Sequence, residues 1–248
     1  MRQFTLENKT ILITGASSGI GRGIAIACAN AGAKCILVGR NRGRLLETCA
    51  VCGGEAHEIR EFDVTNFDGL KDFVSGIPQL DGLVQSAGIG DNHTPLKFIT
   101  PEFFDKVIGV NLKAPILLLS TLEKQKKLNK GASVVMLSSI ASFCATVAHS
   151  LYGASKGAIK SFVQGAAMDL AHKRIRINAL APAMVNTPLI EFSALTEEQR
   201  KENEARYPLK RYGEPEDVAG AAIYLLSDVS SWVTGQQFVL DGGITIGR

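Results

Sequence analysis

Six short runs rich in Ile, Val and Leu recur along the chain: Thr10–Thr14, Cys35–Val38, Gly82–Val84, Val134–Leu137, Ile175–Leu180 and Phe238–Leu240. Each is nearly continuous and does not alternate with polar residues. Strands with that pattern are buried on both faces, as in a parallel sheet covered by helices. Glu58–Val64 is a weaker seventh run. Between the runs lie stretches of helical period. Residues 19–31 place Ile20, Ile24, Ala27, Cys28 and Ala31 on one face, and residues 153–171 do so with Ala154, Ala158, Phe162 and Ala166. Residues 214–227 open Glu-Pro-Glu-Asp, suited to a first helical turn. Strand and helix alternate from end to end. This predicts an α/β fold: a doubly wound Rossmann domain whose parallel sheet has about seven strands, with helices on both faces.

The 248 residues suffice for one large core. No linker, repeat or low-complexity tract divides them, so a single domain over 1–248 is expected. Only residues 184–212, with the polar run Thr196–Arg206, break the rhythm. A long insertion in a compact domain commonly serves as a lid or binding loop, and this one, together with residues 89–99, is expected to set substrate identity.

Hydrophobic residues at 46% and charged residues at 21% exclude a disordered chain. A net charge of +3 is weak for a nucleic-acid binder, and no nucleic-acid partner is expected. No apolar run approaches the roughly 18 residues that span a bilayer, and the N-terminus lacks the pattern of a signal peptide, so a cytoplasmic protein without membrane attachment is expected. Cys49 and Cys52 form a Cys-x-x-Cys pair with no second pair to complete a zinc site. The five cysteines read as free thiols, and no metal is expected.

The first strand runs into Thr14-Gly15-Ala16-Ser17-Ser18-Gly19-Ile20-Gly21 and then into a helix. A dinucleotide pyrophosphate needs a tight turn, close backbone approach and an exposed helix N-terminus. Gly15, Gly19 and Gly21 supply these, and Ser17 and Ser18 add donors. The second strand ends in Val38-Gly39-Arg40-Asn41, with no acid before Glu47 and with Arg42 and Arg44 following. An acid here would suit the ribose hydroxyls of NAD; a guanidinium suits a 2′-phosphate. The expected cofactor is therefore NADP(H), with NAD(H) as a weaker candidate, Arg40 as the principal reader and Arg22 as a helper.

The cradle has the spacing Gly-x-x-x-Gly-x-Gly, and in this the chain resembles the short-chain dehydrogenase/reductase family. The resemblance continues to Asp241-Gly242-Gly243. It implies adenine contacts from Asp63 and Val64, and a cofactor wall at Ser86, Ala87 and Gly88. It also implies nicotinamide contacts from Pro182, Ala183, Val185 and Thr187, in the segment that follows Asn178. Asn111, Ser139, Tyr152 and Lys156 match the family's catalytic tetrad. With four tyrosines, a chance Tyr-x-x-x-Lys is expected about 0.24 times, and a serine thirteen residues upstream lowers this to about 0.02.

Tyr152 and Lys156 are four apart and share one helix face. A free phenol has a pKa near 10. The lysine ammonium is expected to favour the phenolate, the positive oxidised nicotinamide to favour it further, and bringing the phenol to about 7 takes roughly 4 kcal/mol. In the reductive direction the tetrad implies protonation of the alkoxide by Tyr152, a hydrogen bond from Ser139, ribose binding by Lys156 and a water relay held by Asn111. Ser138 is a rival to Ser139, and the spacing to Tyr152 favours Ser139.

Two departures stand out. The family's Asn-Asn-Ala-Gly reads Gln85-Ser86-Ala87-Gly88, which predicts weaker bracing of the sheet, and its Pro-Gly reads Pro182-Ala183. By overall pattern the chain is similar to 3-oxoacyl-acyl carrier protein reductases and small-ketone reductases. An acidic carrier protein would meet basic side chains, for which Lys126, Lys127, Lys130, Lys173, Arg174 and Arg176 are candidates. The alternatives are a sugar, polyol or sterol alcohol dehydrogenase and a catalytically idle binding protein. Phe143, Cys144, His149, Phe192 and Tyr207 are candidate pocket residues; His93 and His149 are candidate accessories. The resemblance also implies a homodimer or homotetramer formed through helices at 100–130 and 150–172, and the apolar run Ile116–Leu119 fits such pairing.

Overall fold

The computed structural model describes residues 4–91, 93–188 and 196–246. The seven apolar runs all become strands: β1 Thr10–Thr14, β2 Lys34–Gly39, β3 Glu58–Glu61, β4 Leu80–Gln85, β5 Leu128–Leu137, β6 Arg176–Pro182 and β7 Gln237–Leu240. They form one sheet in the order β3-β2-β1-β4-β5-β6-β7, every neighbouring pair parallel. The chain therefore leaves β1 in one direction and later crosses to β4 on its other side. Such a reversal opens a crevice beyond the carboxyl ends of the strands.

Helices α1 (Gly19–Asn30), α2 (Arg42–Val51), α3 (Leu70–Ser75), α4 (Pro101–Ile108), α5 (Ala114–Lys124), α6 (Ser150–Leu170), α7 (Glu197–Ala205) and α8 (Pro215–Leu226) supply the cover. The period of two along β1 divides the core. Ile11 and Ile13 pack with Ile24 of α1 and Ala222 of α8. Leu12, between them, joins Leu118 and Leu119 of α5 and Ile159 of α6 on the other face. The run Ile116–Leu119 thus feeds the chain's own core through Leu118 and Leu119. Between α4 and α5, residues Gly109–Lys113 form one π-helical turn.

The insertion expected at 184–212 is partly helical. Thr196 and Gln199 close a capping box at the start of α7. Its base is stitched back to the domain by the Val185–Gly213 bridge. None of the five cysteines is in a disulfide. Burial pushes the Cys35 thiol up to about 12 and Cys52 to about 11, with neighbouring thiols adding to both shifts, so neither is an activated nucleophile.

The basic residues considered for carrier-protein contact lie at the wrong edge. Lys126, Lys127 and Lys130 sit at or before the start of β5, and Lys173, Arg174 and Arg176 at the start of β6. Ser139 follows the far end of β5. Three of these residues also have structural partners: Lys127 donates to the Ser75 and Ile77 carbonyls, and Lys173 pairs with Glu123. Arg176 is buried and donates to the carbonyls of Leu225 at 2.7 Å, Ser227 at 3.2 Å and Val233 at 3.3 Å, closing the C-terminal end of α8. The same carbonyls also accept from Ser133, Ser230 and Asn178, so Arg176→Met removes their charged donor without orphaning them and should lower unfolding free energy by about 1–3 kcal/mol in urea titrations. A loss within 0.5 kcal/mol would show that the cap contributes little.

Candidate active site

The site grows from the ends of β1, β4, β5 and β6. After β1 the chain turns at Gly15, whose φ of +70° places it in the left-handed region. A side chain on Gly21 would lie 2.3 Å from the Gly15 carbonyl, so α1 can close on the turn only with glycine there. Ser18 is the N-cap of α1 yet makes no side-chain capping bond, and the first turn holds no acid. A helix N-terminus left in this way suits an anion. Beside it lies a cleft of about 330 Å³ whose lining includes Ser17, Ser18, Gly19, Arg22, Arg44 and Asn186. Arg22 Nε is buried with no hydrogen-bond partner among the described residues, a donor that a phosphate in the cleft would satisfy. These features fit a dinucleotide phosphate.

Arg40 follows the end of β2 with its side chain 75% exposed, 4.0 Å from Asp63. Burial alone would raise the Asp63 carboxyl, but hydrogen bonds from Thr65 and the Arg40 charge hold it below its ordinary value. Val64, Ala87 and Val110 share the lining of a small cavity beyond the strands. Gly19 approaches Thr187, whose Cγ2 would be 3.1 Å from an added Cβ, so the cradle and the nicotinamide-side segment meet there. Pro182 ends β6, and the Ala183 amide donates to Leu240. The bridge to Gly213 uses the Met184 carbonyl and the Asn186 amide. Along an extended segment, the amide and carbonyl of Val185 therefore point away from Gly213.

Beside Ser86 the end of β4 does carry an amide brace. Gln85 supplies the amide, donating from Nε2 to the Pro115 carbonyl at 2.9 Å. Ser86 lies beside Gly21, its Oγ 3.2 Å from where a Cβ would be.

All four tetrad residues converge. The two serines after β5 separate cleanly: Ser138 Oγ donates to the Lys156 carbonyl at 2.9 Å and is buried, whereas Ser139 hydrogen-bonds the Tyr152 hydroxyl. Lys156 is buried and donates from Nζ to the Leu137 carbonyl at 2.9 Å. Burial lowers its amine to about 8. Asn111 occupies the π-helical turn, the kind of irregularity that often marks functional positions. Its Oδ1 accepts from the Ile89 amide at 2.9 Å, and its Nδ2 donates to the Ile89 carbonyl and to Ser155 Oγ. Gly88 lies between it and Lys156: an added Cβ would be 3.4 Å from Asn111 Oδ1 and 3.5 Å from Lys156 Nζ.

One expectation is reversed. Tyr152 does not have a lowered pKa in this structure: burial pushes its phenol above the ordinary value, the Ser139 hydrogen bond opposes this, and the Asp91 charge adds to it. Lys156 Nζ faces the Leu137 carbonyl and lies 5.7 Å from the Tyr152 ring centroid, so its charge does not offset desolvation.

Asp91 was not among the sequence candidates. It is wholly buried, and it receives the Tyr152 backbone amide on Oδ2 at 3.2 Å. It lies within the stretch 89–99 expected to set substrate identity, where its sequence neighbours do not single it out. Among the candidate pocket residues, Phe143 is exposed, Cys144 is half-buried and Tyr207 is buried against Tyr212 at the base of the insertion. Phe192 lies outside the described residues.

A family model described as enoyl-(acyl carrier protein) reductase matches residues 15–245. The uncharacterized oxidoreductase YxbG of Bacillus subtilis is 35% identical, over 96% of this chain and 92% of its own. The 3-oxoacyl-[acyl-carrier-protein] reductase FabG of Thermotoga maritima is 34% identical, over 97% of this chain and 99% of its own. Among solved structures, a gluconate 5-dehydrogenase from Burkholderia cenocepacia in complex with NADP and tartrate superposes with a TM-score of 0.90, at 27% identity, over 99% of this chain and 98% of that one.

The raised phenol has a direct readout. In the cofactor-free protein, tyrosinate absorbance from Tyr152, taken as the difference between wild type and Tyr152→Phe, should be absent below pH about 10. A tyrosinate titrating below pH 9 would contradict the burial argument.

Proposed function

We propose that this chain, which belongs to the short-chain dehydrogenase/reductase family, is an NADPH-dependent reductase of small-molecule ketones. It is an NAD(P)-dependent oxidoreductase of that family. The observation that carries the reductive reading is the placement of half-buried Tyr152 beside Ser139 at the end of β5 and one helical turn from Lys156, with desolvation favouring its protonated phenol. A phenol kept protonated is a proton donor, which carbonyl reduction requires.

The residues divide by task. Gly15, Ser17, Ser18, Gly19, Ile20 and Gly21 would hold the pyrophosphate, Arg40 and Arg22 the 2′-phosphate, and Asp63 and Val64 the adenine. Ser86, Ala87, Gly88, Pro182, Ala183, Val185 and Thr187 would line the nicotinamide end. When bound, the reduced nicotinamide supplies the hydride. Ser139 and Tyr152 orient the carbonyl oxygen by hydrogen bonds, and Tyr152 gives its proton to that oxygen as negative charge develops. The phenolate left behind lies one helical turn from the Lys156 ammonium. With its amine near 8, Lys156 can return a proton to the phenolate near neutral pH. Asn111 ties Ile89, beside the cofactor wall, to Ser155 of the catalytic helix and so fixes the spacing around Lys156.

A gluconate 5-dehydrogenase and an L-rhamnose 1-dehydrogenase among the relatives support a second reading, in which a polyhydroxylated compound is the physiological ketone or alcohol. The carrier-protein substrate of the FabG relatives finds less support, since the basic residues considered for it lie at the opposite edge of the sheet. Pairing of copies through the helices at 100–130 and 150–172 is supported by exposed Phe104 on α4 and Met168 on α6.

Tyr152→Phe should lower NADPH-dependent turnover of a ketone by at least a hundredfold while NADPH still binds, as read by nucleotide fluorescence. Turnover within threefold of wild type would overturn the mechanism. Arg40→Ala should raise the NADPH KM roughly tenfold and leave the NADH KM within about twofold. An equal change for both nucleotides would remove Arg40 from 2′-phosphate recognition.

A further inference from the structure

Asp91 buries a carboxylate at the mouth of the site, and a buried carboxylate requires partners. One is the Tyr152 amide. The other is His149, whose Nδ1 lies 2.5 Å from Oδ1. The loop carrying Asp91 is fixed in turn, because the Asp91 carbonyl accepts from the Thr94 amide at 3.1 Å and from Thr94 Oγ1 at 2.5 Å. The backbone beside both histidines is unusual. Ala148 has φ +63° and His93 has φ +52°, values that residues other than glycine adopt where their surroundings impose them. The His93 and His149 rings pack with centroids 4.1 Å apart, and the His149 ring is 6.1 Å from that of Tyr152.

This arrangement leaves one group uncommitted. With Nδ1 held by Asp91, Nε2 is the remaining ring nitrogen of His149. It makes no hydrogen bond among the described residues, and the side chain is 22% exposed. A carboxylate on Nδ1 fixes the tautomer of the neutral imidazole, with hydrogen on Nδ1 and a lone pair on Nε2. Nε2 then points away from Asp91 as an acceptor, on a ring that neighbours the proton-donating Tyr152. The reacting oxygen already has Tyr152 and Ser139. A second acceptor, held by a buried carboxylate, suits a second oxygen of the same molecule. A plain ketone has no proton to give it.

We propose that His149, oriented by Asp91, is a specificity-determining residue that accepts a hydrogen bond from a hydroxyl beside the reacting carbon, so that the preferred substrates are hydroxy ketones and their polyol products. This rests on the carbonyl-reductase reading above and names its substrate class. Sites built to hydrogen-bond a substrate hydroxyl discriminate strongly against the analogue without it.

The test is a comparison of kcat/KM with NADPH on matched pairs: 3-hydroxy-2-butanone against 2-butanone, and 1,3-dihydroxyacetone against acetone. Wild type should favour the hydroxylated member of each pair. His149→Phe should lower kcat/KM for the hydroxy ketones at least tenfold more than for the plain ketones, chiefly through KM. His149→Gln, which keeps a hydrogen-bonding group, should recover part of the preference. Asp91→Asn should reduce it, since an amide no longer imposes the tautomer. NADPH fluorescence binding by each variant reports that the cradle is intact. Equal losses on both members of each pair, or no wild-type preference, would overturn the role of His149 and leave carbonyl reduction standing. Failure of wild type to oxidise NADPH with any ketone, while still binding it, would overturn the functional reading and this inference with it.

Discussion

An amine kept out of water organises the reaction centre. Lys156 Nζ rests on the Leu137 carbonyl at the end of β5, and one residue later Ser138 donates back to the Lys156 carbonyl. These two contacts clamp α6 to the sheet at the point where β5 ends. The clamp fixes Tyr152 one helical turn before Lys156 and sets the serine that follows Ser138 against its hydroxyl. Asp91 completes the arrangement by receiving the amide of Tyr152. The cost is desolvation of an ammonium, which brings its pKa to about 8. That value places it where proton exchange near neutral pH is favourable.

The remainder of the fold brings a nucleotide to this clamp. Reversal of strand order between β1 and β4 opens the crevice, and the glycine turn after β1 lets α1 approach it end-on. Gln85 holds the end of β4 to Pro115. The insertion after β6 touches the cradle where Thr187 meets Gly19 and is anchored where Asn186 binds both Glu214 and Arg200. Cofactor cradle, catalytic helix and insertion thus meet at one edge of one sheet.

Much of this was legible in the sequence because the signals are local. Uninterrupted apolar runs marked the buried strands, and fixed spacings marked Gly15–Gly21 and Ser139–Tyr152–Lys156. The start of β5 is not legible because Asn129-Lys130-Gly131 is polar, with Lys130 and Gly131 exposed where the strand begins. What escaped depends on distant contacts. Asp91 meets His149 across 58 residues, and no spacing announces a carboxylate that becomes wholly buried. The phenol is expected to shift down because the ammonium four residues away is visible in the sequence, whereas the burial that raises it, the Asp91 charge and the Leu137 carbonyl that engages the ammonium are not. Arg176 misled for a related reason, since a cation after a helix looks solvated until its carbonyl partners appear.

The central claim, a buried amine poised near neutrality beside a protonated phenol, can be measured directly. In protein labelled with ¹³C at lysine Cε, NMR titration should show one resonance moving with a midpoint at about 8, absent from the spectrum of Lys156→Met. All lysine resonances titrating near the ordinary value of about 10.4 would contradict the account.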